Sequence, residues 1–107
     1  MSKSSDVIVI GAGPVGLFSV FECGMMGLSC QVIDALDQVG GQCTALYPEK
    51  PIYDIPAFPT ILAADLIENL KSQASPFNPI YHLNQQVTHL ESTDGGYDIT
   101  TSAGQTL

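Results

Sequence analysis

A glycine-rich turn near the start of the chain has the spacing needed to hold a phosphate group. It reads Gly-x-Gly-x-x-Gly, with glycines at positions 11, 13 and 16. Gly11 would make a tight turn, Gly13 would leave room for a pyrophosphate beside the backbone, and Gly16 would let a helix pack closely. Pro14 suits the first helical turn, where an N–H has no intrahelical use. The free amides and the dipole of that helix would then face the phosphate.

A carboxylate follows at the distance in sequence that a ribose-binding acid requires. The apolar segment Cys30 to Ile33 predicts a strand, and Asp34 comes directly after it, 18 residues beyond Gly16. In dinucleotide sites an acid about 20 residues past the glycines binds the ribose hydroxyls. Asp34 is therefore predicted to bind the two hydroxyls of an adenosine ribose.

The elements around the turn predict a Rossmann-like α/β unit with a parallel sheet. Val7 to Ile10 are four consecutive β-branched residues, which is typical of a strand buried on both faces. Apolar residues then recur on one face of a helix that begins near Pro14 and is expected to stop at Gly27. Strand, glycine turn, helix and second strand follow one another in the order of a βαβ unit.

Residues 35 to 60 predict a long loop without a clear helical or strand period. Glycines and prolines recur through these 26 residues, and such long loops are usually functional or disordered. Apolar side chains such as Leu46, Tyr53 and Phe58 make the segment too hydrophobic for disorder. We expect it to fold over a flat, largely apolar group. An isoalloxazine ring fits this description better than the nicotinamide of an NAD-dependent dehydrogenase.

The second half of the chain predicts one helix followed by strands. Thr60 is the expected N-cap of a helix that runs to about Ala74, with an apolar stripe at Leu62, Leu66, Ile67 and Leu70. Short strands are then expected at 80–83, 87–92 and 97–101, with Asp-Gly-Gly as the turn before the last. Residues 105–107 resemble the start of a further strand. The pattern is that of a β-meander interrupted in its middle, as in the front piece of a larger protein.

Composition indicates a globular protein with a strongly acidic surface. Hydrophobic residues make up 45% of the 107 residues, and the net charge is −8, from eleven acids against three lysines. Such a charge disfavours nucleic acid and anionic membranes as partners. No segment has the pattern of a signal peptide or a membrane span, so we expect a soluble, cytoplasmic protein. The three cysteines lack metal-binding spacing, so no metal site is predicted, and Cys23 and Cys30 are expected to be reduced and mostly buried.

Two segments together carry a family resemblance. The turn from Gly11 to Gly16 with Asp34 is similar to the FAD-binding start of flavoproteins that have two dinucleotide-binding domains. The more specific segment is Gly40 to Pro59, which reads GGQCTALYPEKPIYDIPAFP. It closely resembles the thioredoxin-reductase-like (type 2) class of bacterial ferredoxin–NADP⁺ reductases. The resemblance covers residues 1–107 as the first part of an FAD-binding domain, about a third of a full family member.

The resemblance implies a set of cofactor-binding residues. The backbone of the glycine turn would hold the FAD pyrophosphate, Asp34 the adenosine ribose, and the backbone of Val87 the adenine. Gln42 and Tyr47 would contact the flavin side of the cofactor, since an amide suits its polar atoms and a phenol ring suits its edge. The implied cofactor-binding set is Gly11, Gly13, Pro14, Gly16, Asp34, Gly41, Gln42, Tyr47 and Val87. No side chain of the chain is expected to act as a catalytic acid or base.

The activity implied by the resemblance is electron transfer between NADPH and ferredoxin, or a similar iron–sulfur protein, through FAD. The NADPH site would lie outside these residues, the full protein would be a homodimer, and the 107 residues alone would be inactive. Two alternatives stay open: the FAD-binding part of a thioredoxin reductase, whose redox cysteines would lie elsewhere, and a non-catalytic FAD-binding module.

Overall fold

A computed structural model of the chain describes residues 4–41, 46 and 48–107. Within these residues the chain forms a parallel three-stranded sheet, two α-helices and two small antiparallel pairs of strands. In chain order the elements are β1 (Val7–Ile10), α1 (Pro14–Met25), β2 (Cys30–Ile33), β3 (Pro51–Ile52), β4 (Ile61–Leu62), α2 (Ala63–Ala74), a 3₁₀ turn (Ser75–Phe77), β5 (Ile80–His82), β6 (Val87–Thr93) and β7 (Gly96–Thr101).

The central sheet has the strand order β1-β2-β5, with every pairing parallel. Val9 lies opposite Val32, and Val32 lies opposite Tyr81, so the three carboxyl ends meet at one edge. Strands β6 and β7 form a separate antiparallel hairpin. The Rossmann-like α/β fold with a parallel sheet, predicted from the sequence, is confirmed.

The sheet is the middle of three layers. On one face, β2 packs against α1 and α2 through Val20, Val32 and Ala74. On the other face, Ile33 packs against the hairpin residue Ile99 and against Leu107. Side chains of successive strand residues point to opposite faces, so Val32 and Ile33 serve the two layers in turn.

Burial on both faces was predicted for β1, and this is wrong for that strand. Three of its residues are half-buried, and Ile10 is 62% exposed. All four residues of β2 are buried instead. The physical reason is position, because β1 lies at the end of the described sheet and β2 lies between two strands.

Helix α1 ends where the sequence predicts. Its C-cap is Met26, and Gly27 follows with a φ of +76°, the left-handed conformation that glycine adopts without a Cβ clash. The prediction for the start of α2 is wrong. Ile61 and Leu62 pair with Pro51 and Ile52 as strand, so the N-cap is Leu62 rather than Thr60.

The first amides of α2 are satisfied by the preceding loop instead of by a capping side chain. The Ala63 amide donates to the Lys50 carbonyl at 3.0 Å, and the Ala64 amide donates to the Pro48 carbonyl at 2.8 Å. The apolar stripe is buried at Leu66, Ile67 and Leu70, but Leu62 is 43% exposed. Its strand pairing turns Leu62 away from the helical stripe.

The remaining strands largely follow the sequence prediction. The hairpin turns at Asp94 and Gly95, and Gly95 has a φ of +86°. The Leu107 amide donates to the Ile99 carbonyl, and the reciprocal bond from the Ile99 amide measures 3.0 Å. This pairing begins the third strand of the predicted meander.

Candidate dinucleotide-binding site

The glycine turn joins β1 to α1 and brings the backbone of the two elements very close. Gly11 has a φ of +108°, and its amide donates to the Ile33 carbonyl at 2.7 Å, which ties the turn to the end of β2. A Cβ added to Gly16 would collide with the carbonyl oxygen of Gly11. Close helix–strand packing at Gly16 is thus a requirement of this backbone.

Gly13 differs from Gly16, because a Cβ added there would meet no atom of the described residues within 4 Å. It is the N-cap of α1, has extended backbone angles and uses no side chain to satisfy the helix start. Pro14 occupies the first turn of the helix, as predicted. The amides of Val15 and Gly16 have no carbonyl within the helix to bond, so they remain available to an anion at the helix N-terminus.

The segment after β2 lies across this turn. The Gly40 amide donates to the Ala12 carbonyl at 2.8 Å. A Cβ on Gly41 would lie 3.3 Å from the Cα of Gly13, and Gly41 also has a φ of +58°. The loop that carries the more specific resemblance therefore returns to the glycine turn.

Asp34 is held at the same place by its side chain. Its Oδ2 accepts a hydrogen bond from the Ala12 amide at 2.6 Å, and its Oδ1 accepts one from the Leu36 amide at 2.9 Å. The carboxylate thus points toward the glycine turn. Each carboxylate oxygen can accept more than one hydrogen bond, so lone pairs remain for ribose hydroxyls.

Two open recesses lie on either side of Gly11. The first, which we name the turn recess, has a volume of about 460 Å³ and is lined by Ile10, Gly11, Gly13, Pro14, Val15 and Gly16. The second, named the strand-end recess, has a volume of about 130 Å³ and is lined by Gly11, Ile33, Asp34, Gln85, Gln86 and Val87. The fold therefore brings Asp34 and Val87, which are far apart in sequence, together at the strand-end recess, and Gly11 lines both this recess and the turn recess.

Larger recesses exist elsewhere but lack this chemistry. One of about 560 Å³ lies between the N-terminal residues and the β6–β7 hairpin, and another of about 560 Å³ lies beside Phe58 and α2. Neither is lined by the glycine turn or by the first residues of α1. The smaller recesses are the better candidate site because backbone amides, a helix N-terminus and a carboxylate converge there.

Some site predictions lie on residues outside the described part of the chain. These are Gln42 and Tyr47, which the resemblance places on the flavin side of the cofactor. Other residues at the site were missed by the sequence reasoning. Gly40 contacts the glycine turn, and Gln85 lines the strand-end recess beside Asp34. Of these two, only Gly40 could have been recognised from the sequence, because it belongs to a Gly-Gly pair, whereas no pattern marks Gln85.

The cysteines of the described region are packed rather than clustered with site residues. Cys30 is buried in the layer between the sheet and α1, and Cys23 packs against it. Burial raises the pKa of the Cys30 thiol to about 11, with a further contribution from its hydrogen bond to Cys23. Such a thiol stays protonated and unreactive near neutral pH.

Comparisons with known proteins agree with this geometry. Residues 9–58 match the model of the NAD(P)-binding Rossmann-like domain family. A ferredoxin–NADP reductase of Rickettsia massiliae is 62% identical over 99 residues, which cover 92% of this chain and 30% of that protein. A ferredoxin–NADP reductase of Rickettsia bellii is 60% identical over the same share of each chain. The resemblance to ferredoxin–NADP reductases is confirmed.

The chain spans about 30% of the length of these ferredoxin–NADP reductases. A solved thioredoxin reductase of T. acidophilum has the same fold, with a TM-score of 0.81 over 95% of this chain and 32% of that one, at 24% sequence identity. At this identity the likeness concerns the fold alone. Within the described residues, no helix is long and apolar enough to cross a membrane.

Proposed function

We propose that this chain binds the adenosine diphosphate half of FAD and is the FAD-binding portion of a flavoprotein that transfers electrons between NADPH and ferredoxin. One observation carries the proposal. Asp34 and Val87 line the strand-end recess, the first turn of α1 lines the turn recess, and Gly11 lines both. The high identity to ferredoxin–NADP reductases supports the choice of electron acceptor.

The residues present suit the diphosphate of such a cofactor. The free space over Gly13 would admit phosphate oxygens to the backbone, and the amides of Val15 and Gly16 would donate to them. The Ala12 amide is already bound to Asp34, so it is not counted among these donors. The absence of lysine or arginine from the turn leaves the backbone amides and the helix dipole as the attractive groups.

The adenosine would extend into the strand-end recess. There Asp34 would accept hydrogen bonds from the ribose hydroxyls, and the backbone of Val87 would pair with the adenine edge. Asp34 is already oriented by the amides of Ala12 and Leu36, so ribose binding would not have to order this carboxylate. Gln42 and Tyr47 are proposed to contact the flavin side.

When bound, FAD would supply the change between hydride transfer from NADPH and single-electron transfer to an iron–sulfur protein. The chain's own residues would bind and orient the cofactor, with no side chain acting as a catalytic acid or base. The NADPH site is proposed to lie outside residues 1–107. We further propose that the whole protein is a cytoplasmic homodimer.

The binding proposal is tested by titrating the flavin-free protein with FAD and following the flavin fluorescence, with ADP as a competitor. Asp34→Asn should raise the Kd for FAD and for ADP by about tenfold or more, because a charged acceptor is lost from the ribose. Asp98→Asn is the matched control, since Asp98 is an exposed acid on β7. Equal affinity in all three proteins would refute the assigned role of Asp34.

The electron-transfer proposal needs a second assay. The full-length protein should reduce ferredoxin with NADPH in stopped-flow or steady-state absorbance measurements. Reduction of thioredoxin but not of ferredoxin would favour the thioredoxin reductase alternative. FAD binding without turnover of either acceptor would instead favour a non-catalytic FAD-binding module.

A further inference from the structure

The segment between β5 and β6 joins the two residues assigned to the adenosine half of the site. The Gln85 amide donates to the backbone carbonyl of Asp34 at 3.0 Å, and Gln85 lies two residues before Val87. Asp34, Gln85 and Val87 all line the strand-end recess. A shift of Gln85 would therefore move the wall that contains both assigned residues.

The same segment is fixed on its other side by the hairpin. Thr101 on β7 is 3% exposed, and its hydroxyl donates to Oε1 of Gln85 at 2.6 Å. Two further hydrogen bonds join Gln86 and Ser102. The Gln86 amide donates to the Ser102 hydroxyl at 2.9 Å, and the Ser102 amide donates to the Gln86 carbonyl at 2.8 Å. Because Thr101 is also the strand partner of Val87, its hydroxyl acts at the beginning of β6.

The geometry points to Gln85 as a further adenosine-binding residue and to Thr101 as the residue that positions it. With Oε1 engaged by Thr101, the Gln85 amide has two N–H donors on Nε2 to offer. Among the described residues, Nε2 of Gln85 has no hydrogen-bond partner. The acceptors of matching chemistry are the ring nitrogens of adenine and the ribose oxygens.

The inference rests on the proposed function, because it assigns these donors to the adenosine that Asp34 and Val87 would hold. The Thr101 hydroxyl orients the side-chain amide of Gln85 before the ligand binds, so binding does not have to order that side chain. The hydrogen bond is partly buried, and loss of the hydroxyl would leave the Gln85 oxygen without that partner.

The test compares FAD with FMN, which lacks the adenosine, in flavin titrations of the full-length apoprotein. Thr101→Val keeps the side-chain shape but removes the hydroxyl. We expect it to raise the Kd for FAD by about three- to tenfold and to leave the Kd for FMN unchanged. Thr101→Ser restores the hydroxyl and should return the Kd for FAD to within about twofold of the original.

A double-variant cycle separates positioning from general stability. Gln85→Leu should weaken FAD binding at least as much as Thr101→Val, and the two changes together should be no worse than Gln85→Leu alone. Equal losses for FAD and FMN, or additive effects of the two changes, would overturn the inference. Should Thr101→Val fail to fold, Gln85→Leu alone, at a half-buried position, still gives the FAD-to-FMN comparison.

The two proposals fail in different ways. If the unaltered protein binds neither flavin, the proposed function itself is wrong. If it binds FAD, loses affinity through Asp34→Asn and is unchanged by the Gln85 and Thr101 variants, only the further inference is wrong.

Discussion

Gly13 and Gly16 lie three residues apart in one turn, but an added methyl group would meet opposite surroundings at the two positions. At Gly16 it would strike the carbonyl of Gly11, whereas at Gly13 it would enter open space. Gly16 is therefore required by the fold, whereas Gly13 is proposed to serve the ligand. This distinction separates binding from stability at the residue scale.

Gly13→Ala should keep the fold and lose ligand affinity. The φ of Gly13 is −75°, which alanine adopts readily, so the free energy of unfolding should change by less than about 1 kcal/mol. The new methyl group would occupy the space assigned to the phosphates, and the Kd for ADP should rise at least about tenfold. Calorimetric titration and urea unfolding measure the two quantities.

In contrast to Gly13→Ala, the substitution Gly16→Ala should reduce the stability of the fold. The turn must open to relieve the contact with Gly11, and we expect destabilisation of about 2–4 kcal/mol in urea unfolding. Unchanged stability in this variant would show that α1 does not pack on β1 as described.

The buried thiol of Cys30 predicts that the free energy of unfolding depends on pH at alkaline pH. Burial, aided by Cys23 and Asp6, raises the pKa of its thiol from 9.0 to about 11. A raised pKa means that the folded state favours the protonated thiol. The stabilisation is complete below about pH 9 and is lost as the pH rises through about 11.

Two measurements check this prediction for Cys30. At pH 8 its alkylation in the native protein should be about a hundredfold slower than that of an exposed thiol, because the thiolate fraction is lower. The free energy of unfolding should fall between pH 9 and pH 11 and fall less in a Cys30→Ala control. A native alkylation rate equal to the unfolded rate would contradict the assignment.

At the scale of elements, the beginning of α2 shows how tertiary pairing overrides a local signal. Thr60 is a good N-cap residue by type, yet the following two residues pair with β3 and delay the helix to Ala63. The carbonyls of Pro48 and Lys50 then take over the role of a cap. A strand pair of two residues in each strand carries too little periodicity to be predicted from sequence.

Helix α1 also meets the 3₁₀ turn through a glycine. A Cβ on Gly24 would collide with the ring of Phe77, which packs edge-on against Phe21 at a centroid distance of 6.0 Å. Gly24→Ala should therefore destabilise the protein by about 1–3 kcal/mol, measured by urea unfolding. The second change Phe77→Leu should recover part of that loss, whereas additive losses would place the ring elsewhere.

For the whole molecule, the net negative charge determines how salt changes stability and ligand affinity. The net charge is −8, and within the described residues Lys71 and Glu68 form an exposed ion pair at 3.5 Å. Screening of the general repulsion should outweigh the loss of such a surface pair. The same repulsion would oppose the approach of an anionic dinucleotide, so the proposed site, whose glycine turn has no lysine or arginine, would depend on backbone amides for attraction.

Raising NaCl from about 10 mM to 0.5 M should therefore raise the Tm by several degrees and lower the Kd for ADP. Thermal unfolding followed by circular dichroism, with KCl as a control for the identity of the cation, measures the first effect. A Tm that falls with salt would show that specific ion pairs outweigh the net repulsion.

Local patterns in the sequence by themselves determined the βαβ unit, the glycine turn and the place of Asp34 after β2. Each depends on short-range rules: β-branched runs, helical periodicity and the conformational freedom of glycine. The segment from Gly40 to Pro59 added the family resemblance. These features could be predicted because the residues that set them are close together in sequence.

Only the tertiary structure decided which distant residues share the site. It brought Gln85 to Asp34 and Thr101 to Gln85, returned Gly41 to Gly13, and buried β2 more deeply than β1. These contacts depend on strand order and on the position of the hairpin, which arise from the packing of whole layers. A local pattern carries no information about such pairings, because their partners are separated by many residues of chain.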